Sequence, residues 1–585
     1  MSEFIRNQYG KVFKITKYNL DGRPDTERNM YICLNCQNFY ICKESVMVHN
    51  CDKIPKINST EKKICYDEAF KYLMIWIAKK NIAFHSIADD TFSKFLYKIN
   101  EEFKLPSETE IRLRIKNFSD HIIDAIYQKI KNKPVSLLID GAKRKNNEFQ
   151  AKILFLPNQL YLLGLEKCEN ETGIEISKII SDTAIRISKS GSKLVSVCTD
   201  NFSGNIAALN EKKPFCAQRL SKENFIRTPC MCHSLNLAIK DVFNEKFIIV
   251  KEKVIQLINY FNEISKTIKN LSKVPQFKEI RWFSLFYCVS YIIEHDEYID
   301  QSHIEIYNLI QNKFGWEYIF SILKTLEIFM KILENDCSSI CDVYPNFQNT
   351  LIQIQNINDI NHKNDKDNIA NEMINSLLNR FSSTVTLSIP IMAFFLTGNG
   401  LRKLNELSNQ IIVASDHAKT TFNDYIIDEP EKNNFSRFFE FLLNNRNSTI
   451  LITQQNTFDS FKFWKKVLKG ENFWLTEPQL LKYYPEFKGI EKRFAKIVIE
   501  ILTIPCSETP CERAFSHLGD ILTNDKRNLN YEMLNSLLII RMNSIFLKQD
   551  KNSSSDFINN DFEKIIQSDL EKMEPEFEEH PLIYI

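Results

Sequence analysis

The sequence lacks a charge bias: 75 Lys and Arg against 74 Asp and Glu leave a net charge of +1 over 585 residues. A uniformly basic coat is thereby excluded, and contact with DNA would have to come from local patches such as Lys143-Arg144-Lys145 or Lys526-Arg527. Short charge runs of this kind are more often solvated faces. Long apolar runs are missing too. The richest, Leu387 to Leu396, contains Pro390 and falls well short of the ~20 residues a bilayer-crossing helix requires, so no membrane is expected as a partner. Met1 to Lys14 has no apolar segment of the secretory type, no internal repeat is visible, and no basic import cluster stands out. What is present is ordinary for a folded globular protein, with 44% hydrophobic and 25% charged residues. The length exceeds what one core organises, so several domains are expected.

The fifteen cysteines are spread unevenly, with five before residue 70. Cys33 and Cys36 form a C-x2-C knuckle, and His49 and Cys51 follow at the spacing of a zinc finger. The last gap, H-x-C, is shorter than usual for the final two ligands. That leaves the fourth ligand open, with Cys42 as a substitute, or marks a degenerate finger. Others, such as Cys168, Cys198 and Cys288, read as small buried residues of a reduced protein.

The most informative stretch is Ser507 to Asn543. Thr509 can cap a helix whose first residue is Pro510, and Ala514, Phe515, Leu518, Ile521 and Leu522 recur at helical spacing to give a buried face. Glu512 then sits at the head of a rigid element. Its plain reading is the acid of a capping box with Thr509. Upstream, two short apolar runs end in acids: Val135 to Ile139 before Asp140, and Leu194 to Thr199 before Asp200. Such runs suit strands covered on both faces. Between them, Phe149 to Leu156 and Leu160 to Leu165 flank Pro157-Asn158-Gln159 as a hairpin, and Ile176, Ile179, Ile180, Thr183 and Ile187 mark one face of a helix. A single Asp at a strand end usually caps the next loop.

The series S-E-x-x-x-E-R-A-F-S, G-D-I-L-T, K-R-x-L and L-x-x-x-R-x-N resembles the carboxy-terminal region of hAT-superfamily DNA transposases. The resemblance implies an α/β fold with large all-α parts: a ribonuclease-H-like core interrupted by a helical insertion, with an amino-terminal BED-type zinc-finger-like module binding DNA. Strand, strand, strand, helix, strand is the order in which such a core begins. By matching position, Asp140, Asp200 and Glu512 are the family's catalytic carboxylates and ligands for Mg²⁺ or Mn²⁺, although Glu508, one helical turn earlier, could trade roles with Glu512. Hard divalent cations prefer carboxylate oxygens and can assist an in-line phosphoryl displacement. Cys230 and His233 match the family's C-x-x-H motif near the DNA being cut. A zinc site there is a poorer reading, because Cys230, Cys232 and His233 are too crowded without a distant fourth ligand. Arg281 and Trp282 match an R-W-x-S segment that approaches the transposon end, with core packing the equal alternative for Trp282. Lys143 and Arg144 lie next to Asp140 as further DNA candidates.

The expected layout is a finger-like module (1–60, with Zn²⁺ on Cys33, Cys36, His49 and Cys51), a helical DNA-binding or dimerisation segment (61–130), and the first part of the core (131–245). An all-α insertion (246–470), the last part of the core with the dimerisation region (471–548) and an acidic tail (549–585) follow. In the segment 61–130, Ala69, Leu73, Trp76 and Ile77 read as one apolar face. Partners implied are double-stranded DNA and a second copy of the chain, with Leu534, Leu537, Leu538, Ile540 and Met542 offering an apolar face for the latter. The implied activity is metal-dependent strand cleavage and transfer, in the nucleus. The alternative is a domesticated, catalytically silent, dimeric DNA-binding regulator.

Overall fold

The computed structural model describes residues 12–18, 24–32, 39–40, 61–99, 105–144, 147–168, 172–209, 225–246, 248–268, 271–278, 283–300, 303–310, 313–336, 338–361, 369–381, 390, 393–394, 396–397, 460–469, 490–522 and 529–544. They fall into two units. In the first, strands β1 (Val12–Tyr18), β2 (Pro24–Ile32) and β3 (Phe39–Tyr40) form an antiparallel sheet in that order. Most of helix α1 (Glu61–Lys80) belongs here. The candidate zinc ligands Cys33, Cys36, His49 and Cys51, with Cys42, lie outside the described residues. On α1 the expected apolar face needs correction, since Trp76 is exposed while Met74, Ile75 and Ile77 are buried. Residues 73–78 are apolar all round, so periodicity does not select a face there.

The second unit begins in the last turn of α1 and continues with helix α2 (Phe84–Ile87), whereas α3 (Asp90–Ile99) belongs to the first; the segment 61–130 is thus divided between the two. Helix α4 (Glu108–Ile130), capped by Ser107 through the Glu110 amide, leads into the central sheet. Its strands are β4 (Pro134–Arg144), β5 (Asn147–Leu156), β6 (Gln159–Cys168), β7 (Lys193–Thr199) and β8 (Ile226–Pro229), in the spatial order β6-β5-β4-β7-β8. The first three form an antiparallel meander, and β7 and β8 run parallel to β4. Val135, Leu137, Leu138 and Ile139 are all inaccessible to solvent, as an apolar run covered on both faces should be. The β5–β6 hairpin turns at Pro157-Asn158, with Asn158 in the left-handed region at φ 65°. Helix α5 (Gly173–Lys189) then buries Ile176, Ile179, Ile180, Thr183 and Ile187, the face its spacing predicts.

After β7 come the short α6 (Ser203–Ala208) and, beyond β8, α7 (Met231–Lys240), which runs into a π-helical turn, Asp241–Lys246. The described regular elements from residue 248 to 469 are helical: α8 (Ile248–Ile264), α9 (Ser284–Glu294), a 3-10 turn at Asp296–Tyr298, α10 (Ile304–Ile310), α11 (Lys313–Glu334), α12 (Ile340–Asn361), α13 (Ile369–Phe381) and α14 (Ser460–Lys469). One apolar core links them to the sheet, running from Val195 on β7 through Leu235, Phe329, Phe347 and Phe381 to Trp464. Helices α15 (Ile490–Leu502), α16 (Thr509–Leu522) and α17 (Tyr531–Asn543) return to the sheet: α15 packs on β4, α16 across β4 and β5, and α17 on β6 and α4. No helix among the described residues is long and apolar enough to cross a membrane.

Candidate active site

The connector between α15 and α16 is pinned along its length, and this pinning delivers the acids of α16 to the sheet. Ser136 Oγ on β4 donates to the Thr503 carbonyl (2.9 Å), and the Met231 amide of α7 donates to the Cys506 carbonyl (2.9 Å). From the helical side, the Ile340 amide donates to Ile504 O (2.9 Å), and Ser507 Oγ donates to Leu333 O (2.9 Å). Buried hydroxyl and amide donors thus hold a segment with no regular structure of its own. Helix α16 starts at Thr509, so Glu508 takes the preceding cap position, one residue earlier than the sequence suggests. The Thr509 hydroxyl turns to Cys232 Sγ (3.5 Å), and among the described residues Glu512 does not bond back to the Thr509 amide as a capping box would.

Five of the candidate residues, Asp140, Asp200, Glu512, Cys230 and His233, lie toward one end of the sheet. Asp140 lies within β4, opposite Ala151 of β5, rather than at the strand's end, because β4 continues in its antiparallel pairing to Arg144. Pairing with β7, however, stops at Leu138 opposite Cys198, so Asp140 stands just past the point where β4 and β7 separate. Asp200 immediately follows β7. Its Oδ1 accepts from the Phe202 amide (2.9 Å) and Asn205 Nδ2 (2.6 Å), the loop-capping role any strand-end Asp can fill. Arg227 on β8 donates to the Asp200 carbonyl (3.1 Å) and to Asn201 Oδ1 (3.0 Å).

Five carboxylates share the electrostatics of this region. Glu512 stays open to solvent at the head of α16, yet partial desolvation, then Glu334 at the end of α11, then Asp200 push its carboxyl up to about 7. Burial, then the negative charge of Asp140, drive Glu508 well above the carboxylate range. The first turn of α16 is placed over β5 by the Cys511 thiol, which donates to the carbonyl of Ala151, the cross-strand neighbour of Asp140 (3.9 Å). Cys230 caps α7, accepting from the His233 amide (3.4 Å), and its thiol hydrogen-bonds Glu508. Burial lowers the His233 imidazole, opposed by the charge of Asp200. Thus Cys230 belongs to the Glu508 side of the site, and His233 to the Asp200 side.

Arg281 and Trp282 lie outside the described residues. Lys143 is exposed and faces Glu148 across the β4–β5 pair (3.6 Å), and Arg144 ends β4. Glu334, Asn205 and Arg227 were not singled out from the sequence. Only Asn205, five residues past Asp200, had a local signal; the others arrive from a distant helix and a neighbouring strand.

The donor chemistry suits a hard divalent cation, since several carboxylates crowd together and Glu508 Oε2 is buried with no hydrogen-bond partner. The side chains do not converge as a ready cage. Among the described residues, no group of three or more His, Cys, Asp or Glu is arranged to hold a metal ion.

Comparison with known families settles the carboxy-terminal part. Residues 446–544 match the hAT family C-terminal dimerisation region. The chain carries a hAT dimerisation region. This supports a hAT-family, transposase-like protein that forms homo-oligomers. No curated protein matches the chain.

Within the hAT region, the apolar side of α17 is not the free face the sequence suggests. Leu534, Leu537, Leu538 and Ile540 are buried inside the chain itself. Asn535 Oδ1 accepts from the Leu165 amide (2.8 Å), Asn543 Oδ1 from the Leu162 amide (3.1 Å), and Asn543 Nδ2 donates to Leu162 O (2.9 Å). These bonds cover the outer edge of β6, an edge otherwise open to pairing with another chain.

Proposed function

We propose that the chain is a metal-dependent DNA transposase of the hAT type, with a ribonuclease-H-like core carrying Asp140, Asp200 and Glu512 as its catalytic carboxylates, acting in the nucleus. The observation that carries this reading is the meeting of strand acids and helix acids at one end of the sheet, in a chain with a hAT dimerisation region. The element order β4, β5, β6, α5, β7 supports such a core, since it is the order that the family resemblance leads one to expect.

Mg²⁺ or Mn²⁺ would supply charge neutralisation for phosphoryl transfer. Asp140 and Asp200 are held at fixed places by the sheet, and Glu512 by a packed helix. Asn205 and the Phe202 amide fix the Asp200 carboxylate. Arg227 steadies the Asp200 backbone from the next strand. Glu512, protonated to about pH 7 in the metal-free chain, can take or release a proton near neutrality, which suits a group beside an attacking hydroxyl. Cys230 and His233 stand at the head of α7, where the family's C-x-x-H motif falls, and Lys143, exposed on β4, offers charge for DNA phosphates.

A silent, DNA-binding regulator is the second reading, favoured by the absence of a three-ligand cage among the described residues. The two separate in one experiment. Purified full-length protein is incubated with Mn²⁺ and labelled DNA bearing the repeats that flank its coding region. The transposase reading expects nicking, reduced about 10³-fold or more in Asp200→Ala on the scale of a lost charge-stabilising group. Binding without nicking by the unaltered protein would make the regulator the correct reading.

A further inference from the structure

The turns that lead into β4 and β7 bring two basic segments of the chain to one place. Lys131-Asn132-Lys133 follows α4, and the stretch from Arg186 to Lys193 ends α5 and enters β7. The two are locked together. The Lys193 amide donates to Lys133 O (3.2 Å), and Ser192 Oγ donates to Ile130 O (2.8 Å). Gly191 turns at φ +77°, where a Cβ would lie 2.7 Å from Asn132 Oδ1, so the turns approach too closely for a side chain between them. Lys131, Lys133, Arg186, Lys189 and Lys193 are all exposed and stand on one fixed rim. Because β4 and β7 are parallel and both start here, the rim lies at the end of the sheet away from Asp140 and Asp200.

A helix C-terminus favours cations through its dipole, and this accounts for Arg186 and Lys189 in the last turn of α5. It does not account for Lys133 and Lys193, which flank the strands. Part of the charge is offset by Asp182, one turn before Arg186, and by Glu500, which pairs with Lys193. Between the ends of α4 and α5 the rim opens on a cavity of about 470 Å³, where Lys131, Arg186 and Lys189 face Asp124 as the acid of the lining. Tyr127, also in that lining, hydrogen-bonds Arg186 and so orients its guanidinium. In a chain whose charges cancel over its length, positive potential has to be gathered locally, and here the fold gathers it from two segments far apart in sequence.

We propose that this rim is a second DNA-contacting surface, which holds the sugar-phosphate backbone of duplex DNA without reading its sequence. It rests on the DNA-acting reading above and adds a surface to it. Ammonium groups and a guanidinium spread along a rigid edge fit a row of regularly spaced phosphates, and contacts of that kind fix position rather than sequence. Strand β7 runs seven residues from Lys193 to Thr199, about 23 Å at the rise of a strand, so the rim lies within one ~34 Å duplex turn of Asp200. A duplex held at the rim and a strand at the acids can therefore belong to one DNA molecule.

The test is the binding of the full-length chain to a labelled duplex of arbitrary sequence, measured at several KCl concentrations. In the triple variant Lys131→Gln, Arg186→Gln, Lys189→Gln the dissociation constant should rise about tenfold or more at ~0.1 M salt. The slope of log affinity against log salt should flatten by about 2–3, since each lost phosphate contact removes about 0.9. A control triple, Lys253→Gln, Lys266→Gln, Lys273→Gln, removes the same charge from exposed positions elsewhere and should change neither quantity comparably. Circular dichroism and melting should show both triples folded like the unaltered chain, as expected for exposed side chains; if the first does not, Lys131→Gln with Lys189→Gln, which leaves the Tyr127–Arg186 bond intact, replaces it with a slope change of about 2. Equal effects of rim and control variants, or none from the rim variant, overturn the assignment, while Mn²⁺-dependent nicking by the unaltered chain leaves the transposase reading standing. A loss seen with duplex RNA of the same length but not with DNA overturns the assignment to DNA. No binding of DNA by the unaltered chain overturns both.

Discussion

The two helices that close the hAT region, α16 and α17, are of similar length and stand next to each other in the chain, yet they are built for opposite ends. Helix α16 buries one side on β4 and β5 and leaves its first turn to hold acids, with Glu512 open and Glu508 closed in. Helix α17 gives almost everything to packing: its leucines face the interior and its two asparagines finish the edge of β6. The contrast teaches that the region named for dimerisation also completes the fold of a single chain. Its self-association must then use surface other than the face formed by Leu534, Leu537, Leu538 and Ile540.

The sharpest way to break this contrast is to truncate α17. Leu538 is wholly buried, and Leu538→Ala should lower unfolding stability by about 2–5 kcal/mol, through lost transfer energy and the cavity left behind. Denaturant unfolding measures it. If α17 instead served only a dimer interface, the loss would depend on protein concentration and vanish on dilution.

A smaller effect is expected from the polar seam. Asn535→Ala strands the Leu165 amide at a buried edge and should cost about 1–3 kcal/mol. Gly164 belongs to the same seam. It adopts φ +128°, and a Cβ there would lie 2.8 Å from Asn535 Oδ1. Gly164→Ala should therefore destabilise as well, because both backbone and space exclude a side chain. Amide hydrogen exchange at Leu162 and Leu165 would show whether the opening is confined to β6.

Much of this was readable beforehand because it depends on local pattern. The apolar run before Asp140, the hairpin at Pro157-Asn158 and the helical face from Ile176 to Ile187 follow from periods of two and 3.6. The acids became candidates only through the family resemblance, since their local pattern reads as loop and helix caps. That Glu508 is closed in while Glu512 is open could not be read, since it depends on how α16 lies across two strands far away in sequence. The same holds for Glu334 and Arg227, which reach the site from α11 and β8. The leucines of α17 mark the opposite error: an apolar face shows that a helix is covered, not which chain covers it.

The smallest expected effect sharpens the α16 side and tests its electrostatics without DNA or metal. In the folded chain Glu512 keeps its proton to about 7, whereas in the unfolded chain it releases it in the ordinary carboxylate range. Between those values the folded state binds more protons, so stability falls as pH rises through the window, and the penalty is complete above it. Glu512→Gln cannot ionise and escapes that loss. In EDTA its Tm should exceed that of the unaltered chain at about pH 8 and converge with it near about pH 4. The difference is small because Glu512 is open to solvent, which screens Glu334 and Asp200. Equal melting temperatures at both pH values would mean that Glu512 is solvated like any surface acid and feels neither Glu334 nor Asp200.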